Sequence, residues 1–181
     1  DELEALRRAV RAWSPEEPIG EEAAPKYRED ERAVRAYLEF RIDLKFEDLA
    51  AAATRLPLLK QEAARRGPRT LTHMLYHSAR SHLAWQEGDS ETALEALRTS
   101  VEAGFPSFIT NQGPLYDAFF DRYLRGEILP TLCRYEEALD WYRSITHGAS
   151  SGSYLLLGPS YRRQAEIYEE LGRYDEATEQ W

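Results

Sequence analysis

The sequence predicts an all-α protein, an α-solenoid of stacked antiparallel helix hairpins. Three observations predict it. Two segments, CRYEEALDWY at 133–142 and GRYDEATEQW at 172–181, are near copies 39 residues apart, and self-similarity at such a period marks a chain assembled from stacked units. Apolar residues recur at the spacing of one helix face, as Ala93, Leu94, Leu97 and Val101 and again as Ala138, Leu139, Tyr142 and Ile145, each with a polar opposite face. Only one segment alternates as a strand does, so a sheet would lack a second strand.

The first element is a short amphipathic helix on Leu3, Leu6, Val10 and Trp13, followed by SPEEPIGEEAAP at 14–25. Together they read as an N-terminal region, 1–25, of helix and acidic, proline-containing linker. The repeat domain is expected over 26–181, in approximate units 26–66, 69–104, 114–147 and 158–181, the last incomplete. In the first unit, LEFRIDLKF at 38–46 has the period-two alternation of a half-buried strand. With no ladder partner anywhere else, it is expected to be helix.

Within each unit a tight turn separates two helices. Gly88 and Gly172 fall where the first helix must stop, a place that favours positive φ. Asp89 or Ser90 can then cap the next helix by accepting from its free N–H groups. The weakest copy, KFEDLAAA at 45–52, aligns Phe46 with Tyr174 and Leu49 with Ala177, which makes Leu49, Ala93, Ala138 and Ala177 the repeated anchors. In the third unit Cys133 stands in the glycine's place. Pro130 just before it removes a hydrogen bond and crowds the Gly126 carbonyl, so a kink or early helix end is expected near 126–130. GFPSFITNQGP at 104–114 and GASSGS at 148–153 read as links between units. Trp181 takes the place of Tyr142, an anchor that wants a helix beside it. One hairpin cannot bury its apolar stripe alone, so neighbours must stack.

These residues resemble the tetratricopeptide (TPR) family of helix-turn-helix repeats. From about Pro159 to Trp181, Tyr161, Ala165 and Tyr168 in the first helix and Ala177 and Trp181 in the second match its large-small-large lock. In the preceding unit Gly126, Leu129, Ala138 and Tyr142 match, with Arg122 in place of a large aromatic. At 77–97 Ser81, Ala93 and Leu97 match, while His77 and Ala84 depart. The family's apolar residue one turn into the first helix is polar here, as Arg80, Arg125 and Gln164. The repeat period is also longer than the family's usual 34.

The resemblance implies a right-handed superhelical array whose first helices line a concave groove for a protein or peptide segment. Carried over by position, the groove-facing residues are Ser78, Ala79, His82 and Trp85, then Phe120, Tyr123, Leu124 and Glu127, then Arg162, Arg163, Glu166 and Glu169. Of these, His82, Trp85, Phe120, Tyr123, Glu127, Arg162, Arg163 and Glu166 are the candidate contacts, since aromatics and arginine tend to anchor partners. Trp85 and Tyr123 have a competing role in packing between units. The Asn and Lys residues with which chaperone-binding relatives clamp a terminal carboxylate are missing; Asn111 is the only asparagine.

A formal charge of -9 and a pI near 5.1 oppose a nucleic-acid surface, which needs a basic footprint, and an anionic membrane alike. No apolar run approaches the roughly 20 residues of a spanning helix. Cys133 is the sole cysteine, so no intrachain disulfide forms and the reducing cytoplasm is the expected compartment. Arginine far outnumbers lysine (Lys26, Lys45 and Lys60), a compositional association with GC-rich bacterial genomes. Opening without a methionine and stopping inside a helical pattern, the chain reads as part of something longer.

No constellation of catalytic residues emerges. GASSG at 148–152 fits the serine-hydrolase expression, but a helix rather than a strand leads into Ser150. His73 and His77 share a helix face, with His82 nearby, and four-residue spacing can hold zinc. No Cys or carboxylate completes a tetrahedral set in sequence, and the competing expectation is two partly exposed helix histidines. His147 sits near a helix end, against the negative end of the dipole. The pairs Arg7-Arg8, Arg65-Arg66 and Arg162-Arg163 are each flanked by acidic residues, so solvated ion pairing is expected. No catalytic residue, metal or cofactor is assigned. Two functions remain: a non-catalytic module or scaffold that binds a protein or peptide, or a regulatory or sensor segment of a larger bacterial signalling protein (a kinase, ATPase or transcription regulator) contacting its own parent chain.

Overall fold

The computed structural model describes residues 2–12, 24–102, 118–147 and 154–180. Trp13, most of the 14–25 stretch, the side chain of Val101, the links at 104–114 and 148–153 with Ser150, and Trp181 lie outside the described residues. Among those described, every regular element is a helix, and the chain forms two compact units, Asp1–Pro106 and Ser107–Trp181. The first contains α1 (Glu2–Ala12), α2 (Ala24–Lys45), α3 (Leu49–Ala53), α4 (Leu56–Arg66), α5 (Leu71–Gln86) and α6 (Ser90–Glu102). The second contains α7 (Phe119–Thr131), α8 (Tyr135–Thr146), α9 (Tyr154–Glu170) and α10 (Tyr174–Gln180). The alternating stretch 38–46 lies almost wholly in α2, as its missing strand partner required. No described helix is long and apolar enough to cross a membrane.

Four helices end in the same way. The chain enters the left-handed region at Glu47 (φ 59°), Gly88 (83°), Cys133 (56°) and Gly172 (70°). Each of these residues donates its N–H to a carbonyl three residues back, at 2.9 to 3.1 Å, and the following N–H reaches five back. Those longer bonds run from Asp48 to Asp43 (2.9 Å), Asp89 to Ala84 (2.9 Å), Arg134 to Leu129 (3.0 Å) and Arg173 to Tyr168 (2.8 Å). The paired bonds use carbonyls that a helix end would otherwise leave free. The next helix then opens with the N–H of Ala52, Ala93, Ala138 or Ala177 bonded to the residue just after the left-handed one. All four alanines are buried, small enough to let two helix backbones approach.

This repeated geometry corrects the register of the weakest copy. Ala52, not Leu49, occupies the place of Ala93, Ala138 and Ala177, and Leu49 falls where Tyr174 does. Two capping chemistries serve the turn. In the first unit Asp48 and Asp89 accept from the N–H groups of Ala51 and Thr92 at 3.0 and 2.9 Å. In the second, Arg134 and Arg173 sit at that position and fork onto Glu137 and Glu176.

Prolines set two boundaries. Pro57 lacks a donor and would crowd the carbonyl of Ala53, and the helix breaks there into α3 and α4. Pro130 lies one residue from the end of α7, which stops at Thr131, next to the end expected near 126–130. The core of the first unit gathers Phe40, Leu59, Leu83 and Leu97, and that of the second Ile128, Leu129, Leu139, Tyr142, Ile145 and Ala165. Ser81 joins α5 to α6 by donating to the carbonyl of Ala93 at 2.8 Å.

Charge is less solvated than the sequence suggested. At least one arginine of each adjacent pair enters a partly buried ion pair: Arg7 with Asp43, Arg66 with Asp30, and Arg163 with Glu127. The polar residues at the family's apolar position are also accommodated. Arg125 is buried over the Trp141 ring at 4.4 Å, and Gln164 turns its amide back to the Ser160 carbonyl at 3.2 Å.

Candidate protein-interaction face

In the second unit α7, α8 and α9 pack mutually, and a polar cluster forms around Glu127. Tyr123 and Glu127 lie four apart on α7 and therefore share a face. Gly126 beside them has no side chain, which lets Tyr142 of α8 lay its ring against the α7 backbone. The Tyr142 and Tyr123 rings meet edge to face at 5.5 Å. The Tyr142 hydroxyl donates to Glu127 Oε1 at 2.6 Å, and Arg163 Nε of α9 donates to the same oxygen at 2.8 Å. Arg163 also bonds Glu166 one turn on, and Arg162 pairs with Glu166 at 3.5 Å.

The cluster thus brings together Tyr123, Glu127, Arg162, Arg163 and Glu166, all sequence candidates. Phe120, three residues before Tyr123 on α7, is partly exposed. Tyr142 was missed: its size marked it as a core anchor, and only its pairing with Gly126 in the repeat register hinted at a hydroxyl so near Glu127. Leu124, expected in the groove, is buried in the unit, while Glu169 is exposed.

The electrostatics follow from this crowding. Burial, then the Glu127 charge, push the Tyr123 phenol up to about 12. The same causes raise Tyr142 further. Burial opposes the Arg163 charge, but its bonds with Glu166 and Tyr142 and the Glu127 charge outweigh burial and raise its pKa. Near neutral pH both phenols are donors and the guanidinium is charged, an arrangement suited to holding a shape and presenting donors. Arg162 keeps 60% of its side chain exposed, against 29% for Arg163, so Arg162 is the guanidinium available to a ligand.

The remaining candidates belong to the first unit. His82 and Trp85 are partly exposed on α5. Arg41 Nη1 of α2 lies 2.9 Å from His82 Nε2, which accepts in that pairing, and the Tyr37 and Ser78 hydroxyls bond at 2.8 Å. Ser78 and Ala79 are buried and present nothing to solvent.

The His73 and His77 rings meet at a tilt of 50°, with centroids 4.4 Å apart. His77 is buried rather than partly exposed, and the buried Nδ1 atoms of both rings have no hydrogen-bond partner. Burial pushes both pKa values down, His77 to about 4 with help from the charges of His73 and Arg80. Among the described residues no three His, Cys, Asp or Glu side chains gather as a metal site would need. Cys133 is an exposed free thiol, and His147 caps the C-terminus of α8. No family model, curated protein or solved structure matches the chain.

Proposed function

We propose that this chain is a TPR-like helical-repeat interaction module, a right-handed solenoid that binds a protein or peptide segment in the cytoplasm without catalysing a reaction. The observation that carries this reading is the four-times-repeated turn, each copy with its left-handed residue and its buried alanine at the same offset. A second support is that first helices bond to one another in both units. α2 meets α5 through Tyr37–Ser78 and Arg41–His82, and α7 meets α9 through Glu127–Arg163.

In the second unit the row of first helices carries Phe120, Tyr123 and Arg162 outward. Tyr142 and Arg163 fix Glu127 from beneath. Such a surface takes an apolar side chain on the aromatics and a carbonyl or carboxylate on Arg162. The test is selection of peptides on the full chain, followed by titration against the paired variant Phe120→Ala, Arg162→Glu. Affinity is expected to fall about tenfold or more, equivalent to ~1.4 kcal/mol, with the melting temperature unchanged. Peptides bound equally by the wild type and the variant would reject this face as the site.

A further inference from the structure

Paired charges join α1 to α2, and the apolar residues beside them, Leu3 and Val10, are only half-buried. None of its residues is buried, yet the groups it meets on α2 are. Asp43 is 0% exposed and Glu39 8%. Arg7 and Arg11, one turn apart on α1, meet Asp43 and Glu39, one turn apart on α2, with the two helices running in opposite directions. Arg7 donates to Asp43 Oδ1 from Nε (2.9 Å) and Nη2 (2.7 Å) and to Asp48 Oδ2 at 3.2 Å; Arg11 Nε donates to Glu39 Oε1 at 3.3 Å.

The other oxygens of the same carboxylates are taken from within the fold. Arg55, at the start of α4, lies 2.8 Å from Glu39 Oε2 and 3.4 Å from Asp43 Oδ2. Each carboxylate is therefore fixed by one oxygen and turns the other toward an incoming guanidinium. A buried carboxylate that loses one of two cationic partners is less well compensated, so this face favours arginine at a set spacing.

We propose that the Glu39–Asp43–Asp48 face is a docking surface for an arginine-bearing amphipathic helix with Arg at positions i and i+4. α1 is its intramolecular occupant, exchangeable for a partner helix of the same chemistry. This surface is independent of the one around Glu127. Exchange is favoured because no α1 residue is fully buried and its apolar Leu3 and Val10 are only half-buried, whereas any competitor must overcome its tethering, an effective concentration on the order of millimolar.

The experiment uses the full chain and a labelled synthetic peptide of residues 1–12. In the variant Arg7→Glu, Arg11→Glu, α1 is released and the peptide is expected to bind at least about tenfold more tightly than to the wild type. Adding Asp43→Asn, or placing Glu at both arginines of the peptide, should abolish that binding. A released variant that melts as a folded protein yet fails to bind, or binds no more tightly than the wild type, overturns the proposal. Hydrogen exchange on the wild type needs no variant to fold: excess peptide should deprotect α1 amides alone, and unchanged α1 protection also overturns it.

Discussion

Gly126 lies so close to the Tyr142 ring that a β-carbon at 126 would sit 2.4 Å from Cζ and 2.6 Å from Cε1. Replacing a helix-interior glycine by alanine ordinarily stabilises by about 0.5–1 kcal/mol. Here overpacking, typically about 1–3 kcal/mol, opposes it and is the larger effect. Gly126→Ala is therefore expected to lower the urea midpoint of the second unit. Adding Tyr142→Leu, which places at 142 the residue that Leu97 supplies at the same repeat position of the first unit, should recover part of the loss. An unshifted midpoint for Gly126→Ala alone would mean that the ring moves aside freely.

His77 gives the first unit a pH dependence of definite sign. Its folded-state pKa of about 4 lies below the ordinary histidine value of about 6.5, through burial first and then the charges of His73 and Arg80. As pH falls from about 6.5 toward about 4, the unfolded chain binds the proton that the folded chain refuses, so stability declines across that window and is fully present above it. The sign is that of a depressed group. His77→Gln should flatten the difference between urea midpoints measured at the two ends. Parallel curves for wild type and variant would exclude His77 as the cause.

Cys133 occupies, at φ 56°, the position that Gly88 and Gly172 fill in two other turns. A side chain in the left-handed region costs about 1–2 kcal/mol, while glycine adds roughly 0.5–1 kcal/mol of unfolded-state entropy. The balance favours Cys133→Gly by about 0.5 kcal/mol, read as a small rise in melting temperature. A drop would imply that the exposed thiol makes a stabilising contact.

The turns were legible wherever a glycine marked them, and Asp89 announced its cap. The copy around Glu47 slipped by three residues because LAAAA offers several small residues in a row, so only the turn itself could set the register, and glutamate does not look like a left-handed residue. Tyr123, Glu127, Arg163 and Glu166 could be found because helical spacing on matched segments places them on facing helices. Tyr142 could not, since an apolar pattern records the size of a ring and not the reach of its hydroxyl. The Arg7–Asp43 pair left no trace at all: its members lie 36 residues apart, and a single long-range charge pairing has no period. Arginines with acidic neighbours look solvated until a buried carboxylate is found opposite one of them.

The four equivalent turns also bear on how the chain acquires its structure. Each joins helices adjacent in sequence, so the loop to be closed is only a few residues long, and closure entropy grows with loop length. Proteins dominated by such local pairings fold quickly. The hairpins α5–α6, α7–α8 and α9–α10 are expected to form early and independently. The α2–α5 and α1–α2 pairings, which span more chain, should follow.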